Sequence, residues 1–175
     1  MKYIFDVDGT ISFDGKSIDP RIIQSIKELP GNPQDIIFAS ARPIRDLLPI
    51  VGDLATGPLI GGNGAIISLN GEVKIMEPIT NRDFQIIRKV INSVDVDYIV
   101  DGKWNYSARV SQDSFILRQL DPNHLAHKVA LAAINQAIKV ILLNLTEERQ
   151  DDITTTLKKQ TNLAIIKDSR EHNLD

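Results

Sequence analysis

The stretch from Tyr3 to Ile11 constrains the fold of this chain more than any other. Its apolar start, Tyr3 to Phe5, is followed by two carboxylates, Asp6 and Asp8, and then by Gly9. The apolar run predicts a short buried strand, and the glycine allows the backbone to turn sharply away from its end. Because open α/β sheets bind ligands at the carboxyl ends of their strands, we expect both acids to line a binding site.

Two carboxylates at this spacing suit phosphoryl transfer. One carboxylate can attack phosphorus as a nucleophile while the other handles the proton. Two anions so close also favour a cation, and Mg²⁺ prefers hard oxygen ligands in mixed shells. The alternative is a calcium-type loop or a solvated acidic turn. An EF-hand loop is disfavoured because its glycine belongs at position six, whereas Gly9 is fourth counting from Asp6.

Two later stretches carry similar signals. A second apolar run from Asp35 to Ala39 ends at Ser40, before a short helix expected from about Ile44 to Val51. The hydroxyl of Ser40 can donate to a phosphate oxygen, with the amide-rich end of that helix pointing at the same anion; a plain helix N-cap is the alternative. Asn63 stands among three glycines, where the backbone can approach a ligand closely, although a structural turn explains the same glycines.

These stretches together resemble the haloacid dehalogenase (HAD) superfamily. Residues 6–10, Asp-Val-Asp-Gly-Thr, look like its first motif, in which the first Asp is the nucleophile and the second the general acid/base. Residues 36–43 resemble the second motif, an apolar strand that ends in Ser or Thr. Residues 61–65 are similar to the Asn-Gly-Ala segment of the Cof-type sugar-phosphatase branch.

The resemblance implies an α/β fold with a Rossmann-like HAD core and an inserted α+β cap domain. It implies a phosphatase that acts on a small phosphorylated metabolite through an aspartyl-phosphate intermediate, with Asp6 as nucleophile, Asp8 as general acid/base and both as ligands of Mg²⁺. The residues that it implies for phosphate binding are Gly9, Thr10, Ser40, Ala41, Arg42 and Asn63. Arg42 is open to a second interpretation as an ordinary surface charge.

Composition excludes several other classes of protein. A net charge of −3 and a pI near 5.6 give no electrostatic reason to expect nucleic acid. The chain has no cysteine, which excludes a disulfide framework and agrees with a cytoplasmic location. No apolar run approaches the roughly 18 residues of a membrane span, and the amino terminus does not read as a signal peptide.

The pattern of elements predicts two domains. Residues 1–77 form the HAD-like core, in which Asp14-Gly15 indicates a hairpin flap beside the acids. Residues 78–175 form the α+β cap, with helices expected at about 81–94 and 146–160 and a last strand at 163–166. A helix beginning near Asp121 would carry His124 and His127, whose spacing permits a metal pair; with no third ligand evident nearby, we interpret both as surface residues.

The resembled family also carries a third motif with a Lys and a fourth with an acidic pair, in core strands that follow the cap. We expect both motifs to be absent, because the sequence ends where those strands would begin. Residues 165–169 resemble an acidic motif but lack its preceding glycine, and Lys158 and Lys159 are interpreted as solvated helix charges. The core is therefore predicted to be incomplete at its C-terminal side. The alternative function is a catalytically incomplete remnant that binds phosphate or a protein partner.

The expected absence of further core strands also leads to a prediction about assembly. Without further core strands, the strand that bears Asp6 lies at an edge of its sheet, and exposed apolar edges invite pairing with another chain. The sequence therefore predicts a homo-oligomer that covers this edge.

Overall fold

The computed structural model describes residues 1–111, 114–168 and 173–175, and the chain divides into two compact units. The first unit contains residues 1–77 and 118–126, and the second contains residues 78–117 and 127–175. Residues 118–126, which the sequence assigns to the cap, thus lie with the first unit. The chain passes from the first unit into the second between residues 77 and 78.

Five strands of the first unit form one sheet within the described residues. They are β1 (Tyr3–Asp6), β2 (Ile36–Ala39), β3 (Leu59–Gly61), β4 (Ile66–Leu69) and β5 (Glu72–Ile75), and their order in the sheet is their order in the chain. The first three strands pair in parallel, and β4 and β5 continue the sheet as an antiparallel hairpin. This mixed α/β arrangement is the predicted fold class.

Helices α1 (Pro20–Lys27) and α2 (Ile44–Val51) connect the parallel strands. Asp19 caps helix α1, because its carboxylate accepts a hydrogen bond from the Arg21 amide at 2.8 Å. Helix α2 has the bounds that the sequence predicts, with Pro49 inside it. Its apolar side is buried, as are the facing strand residues Phe38 and Leu59.

Phe38 is the largest apolar side chain that is completely buried, and its ring stacks on Phe5 with the centroids 6.0 Å apart. We expect Phe38→Ala to lower the free energy of unfolding by about 3–5 kcal/mol, because it removes buried contacts and leaves a cavity. Urea denaturation followed by circular dichroism measures the change. Met76→Ala is the control, since Met76 is 59% exposed and should shift stability by less than about 0.5 kcal/mol. Equal effects of the two substitutions would contradict this assignment of the core.

The second unit combines helices with a second sheet. Its described strands are β6 (Asp97–Asp101), β7 (Tyr106–Arg109), β8 (Lys139–Leu143), β9 (Lys167–Asp168) and β10 (Asn173–Leu174). Their order in the sheet is β7-β6-β8-β10-β9. Helices α3 (Asn81–Val94) and α4 (Glu147–Gln160) contribute apolar residues to a core that also includes Val100, Leu142 and Leu174. Both helices were predicted with closely similar bounds, and each begins at a threonine whose hydroxyl accepts a backbone amide.

Three local predictions are wrong. Residues 11–18 form bends rather than a hairpin, with one bridge between Asp8 and Ser12. Residues 121–127 form turns and not a helix. The strand expected at 163–166 is displaced, because regular pairing begins only at Ile166, whose backbone bonds to Asp175, and continues in β9. Ser169, the last residue of the acidic-motif candidate, lies outside the described residues.

Strand β1 forms one edge of the first sheet in the described part of the chain, as the sequence predicts. Its Ile4 side chain is 66% exposed. On the other face of the strand, Phe5 lines an open groove of about 520 Å³ together with apolar residues of α1 and with Phe13. No helix among the described residues is long and apolar enough to cross a membrane.

Candidate active site

The two acids lie where β1 ends. Asp6 is the last residue of the strand, and Val7, fully buried, anchors the turn that follows. The Val7 carbonyl accepts the amides of residues 10, 11 and 12 at 3.3, 3.0 and 2.9 Å. Gly9 has a φ of +78°, a left-handed conformation that favours glycine. This tight turn brings Asp6 and Asp8 to the same end of the sheet.

Asp6 is exposed, and among the described residues one side chain bonds to it. The Thr10 hydroxyl donates to Asp6 Oδ2 at 2.7 Å, which leaves Oδ1 available to a substrate or a cation. Thr10 therefore acts on the acid itself, whereas the sequence assigns this residue to phosphate binding.

Asp8 is held on both oxygens by residues that follow β2. The Ser40 hydroxyl donates to Asp8 Oδ2 at 3.0 Å. The Arg42 guanidinium donates from Nε to both oxygens at 3.0 Å, and from Nη2 to Oδ1 at 2.9 Å. Fork-shaped pairing of this kind fixes the plane of a carboxylate. Arg42, whose side chain is only 14% exposed, is thus a partner of Asp8 and not an ordinary surface charge.

Ser40 makes three hydrogen bonds, two through its hydroxyl and one through its amide. Its Oγ accepts the Arg42 amide at 3.0 Å while donating to Asp8, and its own amide bonds to the carbonyl of Ile60 at 3.0 Å. The hydroxyl therefore has no proton directed at an incoming phosphate unless its torsion changes. In this arrangement it positions Asp8.

Arg42 is supported from two other segments of the first unit. Its Nη2 lies 3.4 Å from Gln119 Oε1. Gly15, at φ +66°, passes so close that a Cβ there would lie 2.8 Å from Arg42 Nη2 and 3.2 Å from Gln119 Nε2. A side chain at position 15 would be strained by this positive φ and would displace the ends of the Arg42 and Gln119 side chains. Nothing in the local sequence around Gln119 signals this role, so the residue was not among those predicted.

A buried polar cluster fixes the segment that carries Gln119. Arg45 and Asp46, both almost completely buried, pair at 3.2 Å in α2. Asp46 Oδ1 accepts the Asp121 amide at 3.0 Å. The carboxylate of Asp121 in turn accepts the amides of Leu125 and Ala126 at 2.7 and 3.1 Å. Residues 118–126 are therefore tied to α2 next to the second motif.

The loop at residues 11–18 is closed by Asp14. Its carboxylate accepts the amides of Lys16 and Ser17 and the Ser17 hydroxyl at 2.8, 2.8 and 2.9 Å. These bonds, the Lys16 amide first, lower the pKa of Asp14 from 3.8 to about 2.

Because this pKa is lower in the folded chain than in the unfolded chain, the stabilisation of the loop is fully present above the unfolded value of 3.8 and is lost as the pH falls through about 2. We expect the amide resonances of Lys16 and Ser17 to report a midpoint near pH 2 in an NMR titration. A midpoint near 4 would show that these bonds do not form in solution.

Ala41 and Asn63 are the remaining predicted residues of the second motif and of the glycine-rich segment. Ala41 separates Ser40 from Arg42, whose carbonyl accepts the amide of Gly62 at 2.8 Å. That bond joins the second motif to the glycine-rich segment. Asn63 is exposed, with a φ of +56°, and no bond from its side chain to Asp6 or Asp8 is present among the described residues.

Among the described residues, Asp6 is better placed than Asp8 to bind a hydrated Mg²⁺. Mg²⁺ keeps several waters and needs only one or two protein carboxylates when a substrate phosphate is present. Asp6 is exposed and has an oxygen outside the Thr10 bond, whereas both oxygens of the Asp8 side chain are bonded to Ser40 and Arg42. Within the described parts of the chain, no group of three or more acidic, His or Cys side chains is arranged to hold a metal.

Comparison with solved structures shows that the fold is shared. A haloacid dehalogenase-like hydrolase from Bacteroides thetaiotaomicron superposes with a TM-score of 0.76 at 15% identity, covering 98% of this chain and 68% of that one. A HAD subclass IIB sugar phosphatase gives 0.69 at 19% identity, covering 98% and 67%. A HAD-superfamily phosphatase, also from B. thetaiotaomicron, gives 0.68 at 18%, covering 98% and 65%. The chain thus spans about two thirds of the length of these structures.

The sequence itself gives the family. No curated protein matches it, but the model of the haloacid dehalogenase-like hydrolase family matches residues 3–175. This range includes both predicted motifs and the whole of the second unit. The chain therefore belongs to the haloacid dehalogenase-like hydrolase family.

Proposed function

We propose that the chain is a Mg²⁺-dependent phosphoric monoester hydrolase that works through an aspartyl-phosphate intermediate. The observation that carries the proposal is the contrast between the two acids. Asp6 is exposed, with one carboxylate oxygen available, while Asp8, two residues on, is held by Ser40 and Arg42. One acid is thus suited to attack and the other to a proton transfer in a fixed direction.

The reaction proceeds in two displacements. Asp6 attacks the phosphorus, the bond between phosphorus and the ester oxygen breaks, and Asp8 gives its proton to the leaving oxygen. Water then attacks the aspartyl phosphate and gives a proton to Asp8, which releases inorganic phosphate and restores Asp6. Thr10 orients the nucleophile through its bond to Oδ2. A bound Mg²⁺ supplies charge neutralisation for the phosphate oxygens.

The proposed substrate is a small phosphorylated metabolite in the cytoplasm. Support comes from the family and from the fold shared with a HAD subclass IIB sugar phosphatase. The chain has no cysteine, so its stability does not depend on a compartment that oxidises thiols to disulfides. The rival proposal is a chain that binds phosphate without turning it over, and the limited set of described metal ligands supports it.

Two measurements separate these proposals. The first is release of p-nitrophenol from p-nitrophenyl phosphate with and without Mg²⁺. The second is thermal stabilisation of the chain by Mg²⁺ with beryllium fluoride, which mimics a phosphorylated aspartate and stabilises a protein by mass action when it binds. Metal-dependent turnover supports the hydrolase, and stabilisation without turnover supports the phosphate-binding alternative. If Mg²⁺-dependent turnover and stabilisation are both absent, both proposals are refuted.

A further inference from the structure

Two side chains share the Arg42 guanidinium. Its Nε donates to both carboxylate oxygens of Asp8 at 3.0 Å, and its Nη2 donates to Asp8 Oδ1 at 2.9 Å. Nη2 carries a second hydrogen, as each terminal nitrogen of an arginine does. That hydrogen is donated to Gln119 Oε1, 3.4 Å away. Asp8 and Gln119 thus accept different hydrogens of the same nitrogen.

The contact with Gln119 restricts a long side chain. An arginine loses considerable rotamer freedom when it is held in one position. The side chain of Asp8 is 39% exposed, whereas that of Arg42 is 14% exposed. Water therefore competes for the Asp8 end of the pair, and ion pairs open to solvent hold their geometry weakly. An acceptor for the second Nη2 hydrogen selects one orientation of the guanidinium.

Gln119 lies in a segment that has a buried anchor. Two residues further on, the Asp121 amide donates to Asp46 Oδ1 at 3.0 Å. Asp121 and Asp46 are 3% and 5% exposed, so water competes little with this bond. The Asp121 carboxylate also accepts two later amides of the same segment, at 2.7 and 3.1 Å. Because Asp46 belongs to α2, which begins two residues after Arg42, the anchor holds Gln119 close to the guanidinium.

The loop at residues 11–18 also reaches this contact. Gly15 lies against both partners, because a Cβ there would be 2.8 Å from Arg42 Nη2 and 3.2 Å from Gln119 Nε2. The loop is itself closed by the Asp14 carboxylate, which accepts two of its amides. Three segments of the first unit that are distant in sequence therefore meet at the nitrogen to which Gln119 bonds.

We propose that Gln119 is a positioning residue of the candidate active site: it holds the Arg42 guanidinium, and that group holds Asp8 in the orientation for proton transfer. The part in proton transfer rests on the proposed function, whereas the positioning of Arg42 does not. The glutamine amide is neutral, so it orients the guanidinium without adding a second anion beside Asp8. Residues 118–126, whose sequence neighbours belong to the second unit, thus contribute to the site of the first unit.

Gln119→Met tests the contact through activity. Methionine has nearly the length of glutamine, but its thioether is only a weak acceptor. We expect kcat for p-nitrophenyl phosphate to fall about fivefold, the effect of one ordinary hydrogen bond, and KM to change by less than about twofold. Gln119→Glu keeps an oxygen at the same reach and should retain kcat within about twofold. Gln24→Met, on the exposed surface of α1, is the matched control and should leave kcat unchanged.

A hydrogen-exchange measurement tests the contact without any catalysis. The Arg42 Nε hydrogen bonds to Asp8, so it should exchange slowly with solvent. Its signal in a proton–nitrogen NMR correlation spectrum is identified by its loss in Arg42→Lys, since lysine has no guanidinium. Gln119→Met should speed this exchange about fivefold, whereas Gln119→Glu and Gln24→Met should leave it within about twofold of the original rate.

A double variant separates positioning from general stabilisation of the fold. If Gln119 acts through Arg42, its removal should have no further effect once the guanidinium is gone. Arg42→Ala/Gln119→Met should therefore have the kcat of Arg42→Ala within about twofold. A residue that only stabilised the fold would lower the rate by the same factor in both backgrounds. Circular dichroism checks that all variants remain folded.

Three outcomes would overturn the proposal. The first is an Arg42 Nε hydrogen whose exchange rate is unchanged in Gln119→Met. The second is a Gln119→Glu variant as impaired as Gln119→Met, which would assign the effect to packing. The third is a loss of kcat in the double variant equal to the product of the two single losses. If the unsubstituted chain hydrolyses no phosphate ester, the proposed function fails, and the exchange rate alone decides whether Gln119 holds Arg42.

Discussion

The Asp6→Asn variant is expected to hydrolyse p-nitrophenyl phosphate at least about 10³-fold more slowly than the unsubstituted chain, since loss of a nucleophile removes the covalent route. The amide is nearly isosteric and can still accept the Thr10 hydroxyl bond seen at 2.7 Å. The fold of the turn should therefore persist while the chemistry is lost. Initial rates at saturating Mg²⁺ give the comparison.

Asp53→Asn is the matched control for Asp6→Asn. Asp53 is exposed and lies in the short turn after α2, in the same unit. The control should leave the rate within about twofold, as surface substitutions away from a site generally do. Full activity of Asp6→Asn would remove Asp6 from the role of nucleophile.

The second large effect is expected at Arg42. Arg42→Ala should lower kcat by about 10²-fold, because small misplacement of a catalytic group has costs of this order. The substitution removes three of the described bonds to the Asp8 carboxylate. The Ser40 bond alone would then orient that acid. Since the change acts on proton transfer, we expect KM to change less than kcat.

Arg42→Lys separates charge from shape at the same position. Lysine keeps the positive charge but lacks the planar fork that contacts both carboxylate oxygens. We expect most of the loss in kcat to remain. Arg21→Ala is the control, because Arg21 is an exposed arginine paired with a carboxylate, Asp19, away from the catalytic acids. A lysine variant as active as the original would show that charge, and not orientation, is what Asp8 requires.

The parts of the fold that could be predicted are those with local signals. Asp19-Pro20 specifies the start of α1 because a side-chain acceptor and a fixed φ act within two residues. The hairpin of β4 and β5 follows in the same way from Asn70-Gly71, whose residues both have positive φ. The first motif could also be recognised from the sequence, because Asp6, Asp8 and Gly9 lie within four residues of one another.

The parts that could not be predicted depend on contacts between distant residues or on competing local bonds. Arg42 meets Asp8 across 34 positions and Gln119 across 77, so no pattern within either segment announces the contact. Asp14-Gly15 has the composition of a hairpin turn, but the Asp14 carboxylate takes the amides of Lys16 and Ser17. Local side-chain bonds of this kind compete with strand pairing.

The return of residues 118–126 to the first unit makes each unit discontinuous along the chain. In the second unit, β6 pairs with β7 before this segment and with β8 after it. A fragment cut after residue 77 would therefore lack the Asp121 amide that Asp46 accepts and the Gln119 side chain beside Arg42. Since pairing across such separations requires closure of long loops, the first unit completes its folding only after residue 126 has been synthesised, when residues 78–117 of the second unit are already present.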